Sequence, residues 1–537
     1  MQKNILFLFF FFLSLSAKTQ NTERPKLVVG IVIDQMRWDY LHRYNRYAQN
    51  GGFKRMMGQG YSCENTLISY APTITACGHA SIYSGSVPAI NGIVGNTWID
   101  RQTSRYVYCT DDKSVKTVGS TTNAGLMSPA NLLTTTICDE LKLATNFRSK
   151  VIGVALKDRG SIIPAGHSAN AAYWYDGATG DWITSSYYMN NLPKWVNDFN
   201  AKKLVNKYYE QGWNTLYPIN TYTQSSEDSK AYEAKGLGGN TFPYSFKQFV
   251  GKNFGAILTT PHGNSLTAEF AKAAVINESL GEDNITDFLT VSFSSTDYIG
   301  HSYGPNSIEE EDNFLRLDKE LGELFDFLDS KVGKNQYLAF LSADHGALQA
   351  PEFLKEHKIP SARLDLNVFD TLNQVLKKQF GRDSIIIDMY NYQIVLNTPI
   401  IQAANINLDE IKKTIIQYMF YLPGVARIFD INLLTQIPLN SRIREMLVNG
   451  YYPKRCGDIQ LILQSQWIEG YSKTGTTHGL WNPYDAHIPL LWYGWGIKPG
   501  STSREISITD IAPTIAALLK IQTPSGAVGK PIPEIIP

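Results

Sequence analysis

The stretch Lys26-Leu-Val-Val-Gly-Ile-Val-Ile-Asp34 decides the fold class. It is apolar almost throughout instead of alternating, and it ends on a carboxylate. Such a strand is buried on both faces, as in the middle of a mostly parallel sheet. Lys150-Val-Ile-Gly-Val-Ala-Leu156, Asp287-Phe-Leu-Thr-Val-Ser-Phe293 and Gln336-Tyr-Leu-Ala-Phe-Leu341 read the same way, and His487-Ile-Pro-Leu-Leu-Trp-Tyr493 is a fifth candidate. Helical patterns lie between them. One runs from Leu132 to Thr145. Another runs from Ile308 to Val332, with Phe314, Leu317, Leu321, Leu324, Phe325 and Leu328 at helical spacing as a core-packing stripe. Strand–helix alternation over the chain predicts an α/β sandwich.

The chain has 537 residues, which at about 150 residues per domain suggests several domains. The candidate chemistry argues otherwise, because it runs from Asp34 to His478. A site drawn from that span implies one catalytic domain, residues 19–537, carrying insertions at about 170–255 and 350–470. The first insertion is rich in Tyr, Trp, Asn and Gly, and both read as a lid or substrate-facing cap. Its aromatic residues Tyr173, Trp174, Tyr175, Trp182, Tyr187 and Tyr188 suit either a leaving group or, more commonly, a small core of their own.

Residues 1–18 read as a secretory signal: Met1-Gln2-Lys3-Asn4, an apolar run from Ile5 to Leu15, then Ser16-Ala17. The run is shorter than the ~20 residues that span a bilayer. The expectation is a periplasmic or secreted protein with no membrane attachment after cleavage. Lys+Arg and Asp+Glu number 49 each. No global positive field exists to attract nucleic acid or anionic lipid, so no nucleic-acid partner is expected and an anionic substrate needs a local site. The five cysteines (Cys63, Cys77, Cys109, Cys138, Cys456) show no CxxC zinc spacing. Export makes one or two disulfides possible, and the odd count leaves a thiol unpaired.

In open α/β sheets, sites form beyond the carboxyl ends of the strands. The first run ends at Asp34. The third is followed by Asp297-Tyr-Ile-Gly-His301, the fourth by Asp344-His345-Gly346, and Thr477-His478-Gly479 comes late in the chain. Carboxylate and imidazole are good zinc ligands, although manganese or iron would also accept them. Singly, each cluster has an ordinary structural reading: a strand cap, a helix-face pair, a histidine beside a turn. Jointly, with a hydroxyl bridging in from a nucleophile, these six residues suffice for two ions. A nucleophile candidate lies in Pro72-Thr73-Ile-Thr75-Ala-Cys77-Gly78-His79. A threonine hydroxyl is too weak an acid to attack at neutral pH unless a metal lowers its pKa, and backbone N–H groups of a helix opening after Thr75 would favour an anionic oxygen. Thr73 and Cys77 are its rivals.

Together these motifs resemble the alkaline phosphatase superfamily, most closely the phosphate-irrepressible (PafA-type) bacterial alkaline phosphatases, which are related to nucleotide pyrophosphatase/phosphodiesterases. The resemblance covers about residues 25–525 in motif order. It implies a three-layer α/β/α sandwich with a mostly parallel central sheet and cap insertions. It implies two Zn2+: Asp34, Thr75, Asp344 and His345 around the ion at the nucleophile, and Asp297, His301 and His478 around the ion at the leaving group. Thr75 would form a phosphothreonine intermediate on small-molecule phosphate monoesters. Asn96 is similar to the superfamily's phosphoryl-oxygen donor. Lys157 and Arg159 follow the second buried run, and positions i and i+2 of an extended chain share a face. Both would then meet the extra charge of a monoester, as in the PafA-type branch. A phosphodiesterase or phosphonate hydrolase is the alternative, and it requires Lys157 and Arg159 to point elsewhere. The Cys/Ser-x-Pro-x-Arg context of sulfatases is missing, since Cys77 is followed by Gly-His. A non-catalytic phosphate binder would have no need of a nucleophile among metal ligands.

Overall fold

The computed structural model describes residues 24–44, 47, 50–470 and 472–536, so the expected signal segment lies outside the described residues. Ten strands form the central sheet: β1 (Leu27–Ile33), β2 (Tyr61–Cys63), β3 (Thr117–Val118), β4 (Val151–Ala155), β5 (Ala171–Asp176), β6 (Asp181–Ser185), β7 (Asp287–Phe293), β8 (Tyr337–Ser342), β9 (Leu490–Gly494) and β10 (Gly500–Thr502). Their order is β10-β2-β9-β8-β1-β7-β4-β5-β6-β3. The middle five, β8-β1-β7-β4-β5, are parallel. β1 lies at the centre, with Leu27 opposite both Asp287 and Tyr337, and all seven of its residues are buried. Two-faced burial is what its uninterrupted apolar sequence requires.

Helices cover both faces. α2 (Thr75–Ser84), α3 (Ile137–Ala144), α4 (Asp158–Ala165) and α8 (Ile511–Leu519) pack together on one side. α1 (Gly52–Gln59), α5 (His262–Asn277), α6 (Ser295–Tyr303) and α7 (Ile308–Leu328) pack on the other. The result is the expected three-layer α/β/α sandwich. α7 shows the predicted stripe, begins with Ser307 accepting the Glu310 N–H, and passes at Asp329–Gly333 into a wider π turn.

Four expectations need correction. The fifth apolar run does not join the parallel set: β9 is antiparallel to β8, and His487–Ile488 pairs instead with Thr66–Leu67 in a separate small sheet. Pro489 between them lacks an N–H and marks that break. The helix expected from Leu132 starts at Ile137, where Thr136 and Asp139 form a capping box. The segment 170–255 contributes β5 and β6 to the central sheet before leaving it. All five cysteines are free and buried, so no disulfide forms among them.

Four of the six aromatic residues singled out in the segment 170–255, Tyr173, Trp174, Tyr175 and Trp182, are core, while Tyr187 is 40% exposed. Trp182 is 1% exposed and stacks on Phe270 of α5 at 4.1 Å between ring centroids. The segment 350–470 builds a four-stranded antiparallel sheet from Ile386–Tyr390, Gln393–Leu396, Ile459–Leu463 and Val425–Asp430, with helices Val368–Phe380 and Leu408–Phe420. Trp182→Ala should reduce the unfolding free energy by about 3–5 kcal/mol, read from urea denaturation.

Candidate metal centre

The carboxyl ends of four parallel strands converge on one site, as open α/β sheets arrange. Asp34 directly follows β1. Asp297 and His301 lie in α6, which begins just after β7. Asp344 and His345 follow β8, and Lys157 follows β4 as the residue that precedes α4. His478 arrives from the far end of the second insertion. Asp34, Asp344 and His345 are fully buried, and Asp297 is 4% exposed.

Two groups of ligand-type atoms result. In Asp34, Asp344 and His345, one ligand atom from each lies within 4.8 Å of the others, and the same holds for Asp297, His345 and His478. His301 joins the second group, its Nε2 3.2 Å from Asp297 Oδ1. The rings of His345 and His478 stack at 3.5 Å, which puts His345 beside both groups. Its Nε2 lies 3.5 Å from Asp34 Oδ1 and 3.6 Å from Asp344 Oδ2.

Each ligand-type histidine has its Nδ1 against a backbone carbonyl. His301 Nδ1 donates to Thr476 O at 2.8 Å, His345 Nδ1 to Gly346 O at 3.0 Å, and His478 Nδ1 to Thr73 O at 2.7 Å. A carbonyl only accepts, so Nδ1 carries the proton and a neutral ring offers its Nε2 lone pair to the site. This is how outer partners fix the tautomer of metal-binding histidines. Asp34 Oδ1 and Asp344 Oδ2 are buried acceptors with no hydrogen-bond donor. Buried anionic oxygens without donors call for a cation, so the residues fit a metal pair.

Charge is unevenly distributed. Lys157 Nζ donates to Asp34 Oδ2 and Asp297 Oδ2, each at 2.6 Å. Burial disfavours its ammonium, but Asp297 and Asp34 outweigh that and raise its pKa. Burial, with Asp297 and Asp344 close by, pushes the Asp34 carboxyl well above its usual range. Burial works against ionisation of Asp297 and Asp344 too. His301 and Lys157 nevertheless hold Asp297 well below the usual range, and His345 and His79 hold Asp344 low. Burial lowers His345, and burial with the neighbouring His345 and His301 lowers His478 further. His301 is raised, because Asp297 overcomes the effect of burial.

Thr75 is the first residue of α2, and its Oγ1 lies 3.3 Å from His345 Nε2. The rivals are engaged elsewhere. Thr73 Oγ1 donates to Leu480 O at 2.8 Å. The Cys77 thiol donates to Ile93 O at 3.1 Å, and burial pushes its pKa well up. The expectation of free N–H groups after Thr75 is modified, since the Ala76 N–H donates to Asn96 Oδ1 at 3.0 Å. That bond orients the Asn96 amide and leaves its NH2 as donor.

Lys157 and Arg159 do not share a face of an extended chain as expected, because the chain is helical from Asp158 onward. The two cations are still neighbours: the charge of Arg159 opposes that of Lys157. Tyr108 orients the guanidinium, accepting from Arg159 Nη1 at 2.9 Å and donating to Asp158 Oδ1 at 2.6 Å.

Several contributors escaped the sequence reading. Gln35 donates to both carboxylate groups. His79 is no ligand: its Nδ1 donates to Thr75 O and its Nε2 contacts Ser292 Oγ, each at 2.9 Å. The Gly-His pair beside Thr75 was the available signal. At Gly78 a Cβ would lie 2.4 Å from both Cβ and O of Asp344, so glycine lets α2 lie directly on the aspartate that follows β8.

The sequence pattern described as "Type I phosphodiesterase / nucleotide pyrophosphatase" matches residues 28–485. The chain belongs to that family, within the alkaline phosphatase superfamily, and close to its PafA-type members. It is 54% identical over 519 residues to alkaline phosphatase PhoV of Synechococcus elongatus, covering 96% of this chain and 94% of the relative. It is 52% identical to a Myroides odoratus protein named calcium-transporting ATPase, over 96% of each. Alkaline phosphatase PafA of Elizabethkingia meningoseptica is 50% identical over 97% of this chain and 96% of the relative. The crystal structure of PafA superposes with a TM-score of 0.94, covering 96% of this chain and 99% of that one.

Gly78→Ala should cost about 1–3 kcal/mol of stability through overpacking against Asp344, visible as a lower urea midpoint.

Proposed function

We propose that the protein is an exported, zinc-dependent alkaline phosphatase that hydrolyses small phosphate monoesters through a phosphothreonine at Thr75. The carrying observation is the set of three histidines whose Nδ1 protons are held by backbone carbonyls, gathered with three buried carboxylates into two adjoining groups, with the Thr75 hydroxyl 3.3 Å from His345 Nε2. The two relatives named as phosphatases support the same activity. Calcium transport needs membrane-crossing segments, and no helix among the described residues is long and apolar enough to cross a membrane.

Asp34, Asp344 and His345 would hold one zinc with Thr75, and Asp297, His301 and His478 the other. His345 belongs with the first group, since its Nε2 lies closest to Thr75 Oγ1 and then to Asp34. Two bound zinc ions would supply Lewis acidity at both ends of an in-line displacement. Thr75 Oγ1 is the attacking atom, and the phosphoryl group it accepts is then released to water. Asn96, its Oδ1 fixed by Ala76, donates its NH2 to a phosphoryl oxygen. Lys157 and Arg159 supply positive charge for the remaining oxygens, and a monoester presents one more negative charge there than a diester. Arg159 enters as a planar fork braced by Tyr108, and Lys157 as a point charge. The zinc identity, the export of the mature chain, and its organisation as a single catalytic domain with two insertions belong to the same reading.

The family description favours a second reading, a phosphodiesterase. One paired assay separates them. The zinc-loaded protein should hydrolyse an aryl phosphate monoester far faster than the matching diester, and a chelator should abolish both activities. A diester preference sinks the monoesterase claim. Thr75→Ala should lose at least about a thousandfold in kcat. Lys157→Ala and Arg159→Ala should each cost about a hundredfold on the monoester and much less on the diester.

A further inference from the structure

Gln35 stands between the two carboxylate–imidazole groups and is bonded to both. Its backbone N–H donates to Asp344 Oδ1 at 3.1 Å, and its side-chain Nε2 to Asp297 Oδ1 at 2.6 Å. It is 1% exposed. One residue thus spans the end of β8 and the start of α6 from its place at the end of β1.

Its backbone conformation adds a second observation. Gln35 has φ of 65°, in a turn closed by Met36 N donating to Ile33 O at 3.3 Å. Glycine takes that left-handed position without steric cost, and a residue with a Cβ does not. Strain of this kind persists at functional sites when the surroundings over-determine it. Here the surroundings are the two carboxylates.

A third observation comes from the opposite side. Gly300 lies in α6 between Asp297 and His301, and a Cβ there would sit 2.0 Å from Gln35 Oε1. The helix that carries two of the ligand-type residues therefore opens its surface where the Gln35 amide fits. A neutral amide also suits the place chemically. It donates to Asp297 without adding charge to three buried carboxylates, and without competing with Lys157 for Asp297 Oδ2.

We infer that Gln35 is a positioning residue for the metal pair: it fixes the rotation of the Asp297 carboxylate and its spacing from Asp344. The inference rests on the two-zinc reading above. Hydrogen-bonded partners of metal ligands act this way, and their loss weakens metal binding by about tenfold to a hundredfold.

The test is metal retention. Wild type, Gln35→Gly and Gly300→Ala are loaded with zinc, dialysed, and titrated with a competing chelator while bound zinc is counted by elemental mass spectrometry. Gln35→Gly keeps the turn conformation and removes only the amide. Gly300→Ala keeps the amide and displaces it. Wild type should hold two equivalents. Each variant should release one of them about tenfold to a hundredfold more readily, while the metal-free forms of wild type and Gln35→Gly melt together. Fewer than two equivalents on wild type would overturn the two-zinc reading and this inference with it. Two equivalents held equally by wild type and Gln35→Gly would overturn this inference alone. So would a lower melting point of metal-free Gln35→Gly with unchanged zinc retention, since that marks a purely structural role.

Discussion

Three carboxylates, Asp34, Asp297 and Asp344, are buried together at the ends of adjacent strands, and the rest of the site is arranged around that crowding. Like charges in a low-dielectric interior repel strongly. Lys157 relieves part of the repulsion by bonding one oxygen each of Asp34 and Asp297. What it leaves is specific: Asp34 Oδ1 and Asp344 Oδ2 lack donors, and the Asp34 carboxyl is pushed upward in pKa. Such oxygens suit further positive charge, and the sheet order itself is what brings them together. β7, β1 and β8 are neighbours, and their ends cannot be separated without dismantling the core.

The same crowding explains why the backbone does so much of the work. Each ligand-type imidazole is held by a carbonyl rather than by another acid, so its tautomer is fixed without adding negative charge. The carbonyls come from Thr73, Gly346 and Thr476, on three different loops. Thr73 and the His478 loop are bound reciprocally: His478 donates to Thr73 O, and Thr73 Oγ1 donates to Leu480 O. The threonine that rivalled Thr75 as nucleophile is thus a brace for the loop that delivers the last histidine.

Much of this was legible in the sequence, and what was not has identifiable physical reasons. The apolar runs of β1, β4, β7 and β8 gave the sheet, and their polar ends marked the site, because two-faced burial leaves a plain composition signal. β9 was legible as a strand but not in its direction, since an apolar run carries no information about its polarity relative to its neighbours. α2 was legible only as a helix opening near Thr75, without its extent, because all ten of its residues are buried and it has no apolar stripe. Gln35 and Tyr108 escaped because their partners lie far along the chain, and a glutamine after a strand or a tyrosine in a short one has no local signature. Lys157 and Arg159 were singled out by an extended-chain argument that the helix start at Asp158 removes. Their proximity comes from opening a helix together at the end of a buried strand.

The second insertion shows how a site drawn from distant sequence tolerates a long excursion. The chain leaves the site after His345 and returns to it at His478. Closing a long loop costs only slightly more than closing a short one, because the entropy grows with the logarithm of its length. What must be supplied is a fixed pair of ends, and the site supplies it. Thr476 Oγ1 donates to Leu348 O at 2.7 Å, and Gly346 N donates to Asp485 O at 2.7 Å. Asp485 in turn accepts from Leu480 N at 2.9 Å. The outgoing and returning segments are therefore stitched together beside the ligand-type residues. The insertion is held at further points as well: Arg101 Nη1 donates to Asp458 Oδ2 at 2.7 Å, Arg455 Nη1 to Asn131 O at 2.9 Å and Asn449 Nδ2 to Ser69 O at 2.8 Å.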